Sequence, residues 1–166
     1  GLLLTANHAE TGAFKPHPSK PRIRVPFRPP LNCLNAFSLT TFNALYFYGK
    51  GRSTVPKRSG YDSFFYPLDQ VGNWNYFYGP KGLFQHQSVI PADAAKAVLP
   101  ELLNASRKAG QSSFLTVLKR FGAMTSPSLT PFAREGFTLT LDFANRGRTT
   151  VELLEELDRI TVGAGG

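Results

Sequence analysis

Six polar side chains sit on short apolar runs where strand alternation can turn them toward a common face. They are Gln85 and Gln87 in LFQHQSVI, Lys119 in SFLTVLKRF, and Thr138, Thr140 and Asp142 in FTLTLDF. Lys119 is the most informative, because alternation places it beside Leu115, Val117 and Phe121. A lysine on an apolar strand face either carries its ammonium out to water or meets an anionic ligand, and both readings stay open on pattern alone. For the two glutamines the plain alternative is a solvated sheet face. Asp142 reads as structural, a turn or loop anchor. The rest of the chain offers little chemistry. His8, His17 and His86 are too scattered for a metal site, so no metal is expected. Asp62 and Asp69 are close in sequence, but paired-carboxylate catalysis depends on a spatial separation that sequence does not show. There is no G-x-G-x-x-G, P-loop, G-x-S-x-G or H-E-x-x-H pattern. The aromatic group Tyr61, Phe64, Phe65, Tyr66, Trp74, Tyr76, Phe77 and Tyr78 reads first as core, with polar ends that need partners and can line a cleft.

The elements that must position these residues follow from periodicity. Leu34, Phe37, Thr41, Leu45 and Phe47 predict a short apolar helix near residues 34–48. Residues 83–90 alternate as a strand and end at Pro91. Ala95, Val98, Leu99, Leu102, Ala105 and Ala109 have helical spacing, with Gly110 as a left-handed stop. Pro100 lies inside that helix and is expected to kink it or cost about 3 kcal/mol. Ser113–Phe121 and Phe137–Phe143 read as strands, the second with Phe137, Leu139, Leu141 and Phe143 on one face. Thr149 and Glu152 have the spacing of a capping box opening a helix to about Ile160, with Leu153, Leu157 and Ile160 on its buried stripe. The order predicts an α+β domain, an antiparallel sheet covered on one face by helices. Leu2–Asn7 reads as a strand already under way, and ITVGAGG as a chain leaving a helix toward another strand. Both ends suggest a piece of a larger protein.

The 166 residues suit one domain, and 42% hydrophobic content with 14 Phe is enough for a core. The single cysteine, Cys33, excludes an internal disulfide, and a reducing compartment is expected. No apolar run is long enough for a membrane-spanning helix, and the opening GLLLTA does not read as a signal peptide. The net charge of +8 is concentrated. Residues 1–60 hold nine Lys/Arg against Glu10 alone, whereas residues 61–166 hold ten of each sign. Six prolines between Pro16 and Pro30 make residues 12–31 an extended, mobile basic loop, and residues 49–60 (Gly49 to Gly60) read as a second. Clustered cations attract polyanions or anionic surfaces. A nucleic-acid-binding module is disfavoured, because the aromatics are not interleaved with the basic runs.

Residues 65–91 (FYPLDQVGNWNYFYGPKGLFQHQSVIP), with GQSSFLTVLKRFG, GFTLTLDF and LLEELDRITVGAGG, resemble the FAD-linked oxidases of the decaprenylphosphoryl-β-D-ribose 2′-epimerase flavoprotein family. The resemblance covers residues 33–166 well and the first 32 weakly. No single element of it is specific, but P-L-D, G-x-W-N, Y-G-P, Q-x-Q and S-F-L-x-V-x-K-x-F-G in this order are. It implies the substrate (cap) domain of a vanillyl-alcohol-oxidase/PCMH-type flavoprotein, whose antiparallel sheet closes over a flavin held by a separate FAD domain. It further implies oxidation of the 2′-hydroxyl of a polyprenyl-phosphate ribose by hydride transfer to FAD. A short-chain NAD(P)-dependent reductase would be the partner, and the setting cytoplasmic with peripheral contact at the inner membrane. By the same resemblance Lys119 reaches the substrate and flavin, and Gln85 and Gln87 line the pocket, with Gln87 also toward the cofactor. Phe65, Leu68, Gly72, Val117, Thr138 and Thr140 complete the substrate set. The sequence departs from the mycobacterial members of that family, which carry asparagine and cysteine at positions 138 and 140 and tyrosine at 65. Nothing here resembles the glycine-rich pyrophosphate loop of the FAD domain, so the isolated chain is expected neither to hold FAD tightly nor to turn over. A sugar lactone or alditol, as in aldonolactone oxidases, is the alternative substrate class.

Overall fold

The structure, a computed structural model, describes residues 5–9, 23–30, 36–50, 58–113, 115–124, 127–128 and 132–166. It divides into two compact units, Gly1–Phe77 and Tyr78–Gly166.

The second unit is built on a three-stranded antiparallel sheet. Its strands are β3 (Leu83–Ile90), β4 (Thr116–Phe121) and β5 (Gly136–Ala144), in the order β3-β5-β4. The central place of β5 suits its sequence, in which Phe137, Leu139, Leu141 and Phe143 alternate with the short polar Thr138, Thr140 and Asp142, so that both faces can be buried. One face of β5 presents Leu139, Leu141 and Phe143 to two helices, α3 (Ala95–Lys108) and α4 (Arg148–Gly163). Val98 and Leu102 from α3, Leu153, Leu157 and Ile160 from α4, and Ile90 from β3 close that core. This is the expected α+β arrangement, a sheet covered by helices on one face. On the same side, His86 of β3 sets Nε2 3.0 Å from Asp158 Oδ1, tying the sheet to α4.

Pro100 is accommodated within its helix, and three local expectations change. Pro100 lies within α3, yet the helix continues unbroken to Lys108. Pro100 is exposed, so the Lys96 carbonyl that lacks its usual N–H partner is left on the solvent side, where helices bend outward at least cost. The capping box is not formed, since α4 begins two residues earlier, with Gly147 at φ 75° in the cap position, and that cap makes no side-chain hydrogen bond. Thr150 serves the turn instead, its Oγ1 accepting the Arg146 N–H at 3.0 Å, while Glu152 pairs with Arg148 at 3.0 Å. The C-terminal ITVG does not leave the helix, because Ile160–Gly163 is its last turn. The strand expected from Ser113 begins at Thr116.

The first unit contains α1 (Ala36–Lys50), α2 (Tyr61–Phe65), a 3-10 turn Pro67–Gln70, and a two-residue parallel pairing of β1 (Ile23–Arg24) with β2 (Val71–Gly72). A second 3-10 turn, Trp74–Tyr78, runs from it into the other unit. Within the basic 12–31 segment, Ile23 and Arg24 are therefore a short strand rather than loop, and Val25 is buried with its N–H on Gly72 O at 2.9 Å. The cations Lys15, Lys20 and Arg22, residues 51–57, Cys33 and residues 2–4 of the expected strand Leu2–Asn7 lie outside the described residues, and Thr5–Asn7, which are described, form no strand. The predicted helix near 34–48 is present, with Gly49 and Lys50 as its end rather than loop. Its apolar residues are not core: Phe37 is 81% exposed and Leu45 70%.

Candidate functional site

Antiparallel registry puts residues paired across strands on the same side of a sheet. β3 pairs Gln85 with Asp142 and Gln87 with Thr140, and β4 pairs Val117 with Thr140 and Lys119 with Thr138. Six of the residues singled out from sequence, Gln85, Gln87, Val117, Lys119, Thr138 and Thr140, thus share the sheet face opposite the helix-covered one. The face has two levels. Thr138, Thr140 and Asp142 on the central strand are buried, the first and last at 0% exposure. The flanking Gln85, Gln87 and Lys119 are exposed, and Val117 is half-buried. Edge strands hold the long side chains that can reach outward, and the central strand holds the short ones beneath.

Hydrogen bonds lock the levels together. Gln85 Nε2 donates to Asp142 Oδ1 at 2.7 Å, directly across the strand pair. Gln87 Nε2 reaches Thr138 Oγ1 at 3.2 Å on the diagonal. Tyr78 donates its hydroxyl to Asp142 Oδ2 at 3.4 Å. Among the described residues, no side chain hydrogen-bonds or ion-pairs with Lys119. Its ammonium is a cation of this face left without a side-chain partner among the described residues.

Asp142 is not in a turn. It is mid-strand, and its own N–H donates to Ser113 Oγ at 2.9 Å and lies 3.3 Å from Leu115 O, so it does anchor the segment leading into β4. Burial pushes its carboxyl pKa above the ordinary range, although the hydrogen bonds from Gln85 and Tyr78 pull the other way. Tyr78 is pushed upward as well, first by burial and then by the adjacent carboxylate. In the sequence, Tyr78 belongs to a generic aromatic cluster, and Asp142 reads as an anchor although it alternates with Thr138 and Thr140. The signal linking Asp142 to the site was its parity with Thr138 and Thr140, whereas nothing local pointed Tyr78 at it.

Phe65, Leu68 and Gly72 belong to the other unit. Phe65 ends α2, exposed, and packs within an aromatic cluster, its ring centroid 5.0 Å from Tyr61 in a tilted contact and 5.1 Å from Phe64 in an edge-on one. Leu68 is half-buried in the 3-10 turn. Gly72 accepts the Val25 N–H in the β1–β2 pairing. Nearby, Arg28 lies over the Tyr76 ring at 5.0 Å, a cation–π contact. No three His, Cys, Asp or Glu among the described residues gather as a metal site, and no helix among them is long and apolar enough to cross a membrane.

No family model matches the chain. A curated relative does, decaprenylphosphoryl-beta-D-ribose oxidase of Mycolicibacterium smegmatis, 31% identical over 137 residues. The match takes in 82% of this chain but only 29% of the relative, so the chain spans less than a third of that protein's length. Over most of its sequence, this chain therefore resembles part of a decaprenylphosphoryl-beta-D-ribose oxidase.

Proposed function

We propose that this chain is the substrate-recognition (cap) domain of an FAD-dependent oxidoreductase acting on a sugar hydroxyl, the 2′-hydroxyl of a polyprenyl-phosphate ribose. The observation supporting this reading is the shared face of Gln85, Gln87, Val117, Lys119, Thr138 and Thr140 on a sheet whose other face is packed by helices. Such a face offers amide and hydroxyl partners for a polyol, a cation in Lys119 that is unpaired among the described residues, and a central strand to hold them in place.

The residues present fit the ring end of a flavin and not its phosphates. Lys119 and Gln87 can donate hydrogen bonds to the carbonyl and ring-nitrogen acceptors of a flavin ring, whereas the sequence carries no glycine-rich turn of the kind that cradles a pyrophosphate. FAD, when bound, supplies the hydride acceptor, and a separate domain would hold most of it. This chain's part is to orient the sugar. Gln85 and Gln87 bind hydroxyls, and Lys119 places positive charge where negative charge develops. A short-chain NAD(P)-dependent reductase would then reduce the keto sugar. The proposed setting is cytoplasmic, peripheral at the inner membrane. The basic first 60 residues and the exposed aromatics of α1 support contact with an anionic lipid surface.

The test is a visible absorption spectrum of the full-length protein beside that of this 166-residue chain. Flavin bands in the long form alone, bleached anaerobically by decaprenylphosphoryl-β-D-ribose, are the expected result. Bleaching by aldonolactones or alditols instead would shift the substrate class. A full-length protein without flavin would end the oxidase reading.

A further inference from the structure

Resting on that oxidase reading, we infer that Asp142 fixes the Gln85 amide with its carbonyl oxygen outward, so that Gln85 Oε1 selects a hydroxyl donor on the sugar. Asp142 is then a positioning residue for substrate recognition. The reasoning starts from what a carboxylate can do. Ionised, it only accepts hydrogen bonds, so the end of the Gln85 amide lying 2.7 Å from Asp142 Oδ1 must be the NH2. Oε1 is the remaining end, and Gln85 is exposed on the open face.

A glutamine on a solvated strand would otherwise rotate and present either end equally. Here the carboxylate cannot follow such a rotation. Tyr78 holds Oδ2, and the Asp142 backbone is tied to Ser113 and Leu115. The neighbouring Gln87 is different, because its partner Thr138 Oγ1 can donate as well as accept. The face therefore combines one fixed acceptor at Gln85, one adaptable amide at Gln87 and one cation at Lys119. A sugar hydroxyl suits Gln85 Oε1. A phosphate oxygen does not, since lone pair would face lone pair. The anionic part of the substrate accordingly lies away from Gln85.

The test uses the full-length flavoprotein, with flavin reduction by decaprenylphosphoryl-β-D-ribose and by its 3-deoxy and 5-deoxy counterparts. In the unsubstituted protein, one deoxy compound should lose about tenfold in kcat/KM, the value of one well-made hydrogen bond. In Gln85→Met that difference should vanish, because the parent sugar falls to the level of its analogue. Asp142→Leu should erase the discrimination too. Asp142→Asn should restore it, because its Oδ1 still accepts from Gln85 Nε2.

Equal use of all three sugars by the unsubstituted protein overturns the inference, as does discrimination that survives Gln85→Met. Loss in Asp142→Asn as deep as in Asp142→Leu also overturns it, since charge and not amide orientation would then be at work. Should Asp142→Leu fail to fold, the exposed Gln85→Met and the near-isosteric Asp142→Asn decide between them. Absence of flavin reduction by the parent sugar is a separate outcome, which removes the oxidase reading and this inference together.

Discussion

At the scale of the residue, Asp142 and Lys119 are opposite cases. Asp142 is buried among donors, and burial outweighs them, so its native pKa lies above the unfolded value. The native state therefore binds the proton more tightly than the unfolded chain does. Its contribution to stability is fully present below the unfolded pKa and is lost as pH rises through the raised native value. Asp142→Asn should remove this dependence. Chemical denaturation of both proteins from pH 4 to pH 8 should show the asparagine variant gaining relative to its parent as pH rises, and a flat difference would refute the linkage. Lys119 is exposed and unpaired among the described residues, so Lys119→Ala should leave the unfolding midpoint nearly unchanged. In the full-length enzyme it should lower kcat about a hundredfold, the effect of deleting a preorganised charge. A variant that loses folding without a specific kinetic defect would make Lys119 a structural residue. Parity along three strands already grouped Lys119 with the glutamines and threonines. The hydrogen bond from Tyr78 to Asp142 spans 64 residues, and no local pattern encodes a contact at that separation.

At the scale of the element, β5 carries the architecture. It is flanked on both edges and buried on both faces, so substitutions there disturb the core and the polar face alike. Its first residue, Gly136, has φ 145°, and a Cβ at that position would collide with the Ile90 carbonyl oxygen. Gly136→Ala should destabilise by about 2 kcal/mol or more, combining strained backbone with a steric clash. Leu157 of α4 is completely buried, and Leu157→Ala should cost about 2–5 kcal/mol by cavity formation. Denaturant midpoints measured on both variants check the pair, and a loss below 1 kcal/mol at either would contradict the packing described. Helices and strands with clean periodicity were legible in sequence almost to their ends. The start of α4 was not, because the Thr149–Glu152 spacing looked like a cap while Gly147 provided the turn. Capping patterns report side-chain capability, and the backbone conformation next to them decides whether it is used.

At the scale of the whole molecule, the excess positive charge is concentrated in the first 60 residues of the sequence, whereas residues 61–166 carry ten charges of each sign. If those cations bind an anionic membrane, replacing Arg22, Arg24, Lys57 and Arg58 by Gln should weaken binding to phosphatidylserine vesicles roughly fivefold per charge at low salt. Sedimentation of the full-length protein with vesicles measures this, and unchanged binding would remove the lipid-surface proposal. Taken alone, the sequence determined the helical and strand segments, the parity of the polar residues, the charge segregation and the resemblance to FAD-linked oxidases. All of these are local or additive properties, written in spacing and composition. Only the tertiary structure decided that β5 is the central strand, that Thr138 and Asp142 are fully buried beneath exposed glutamines, and that Asp142 faces Gln85 and Tyr78. Those facts depend on strand order and registry, which arise from contacts between segments far apart in the chain, and so does the orientation of the Gln85 amide.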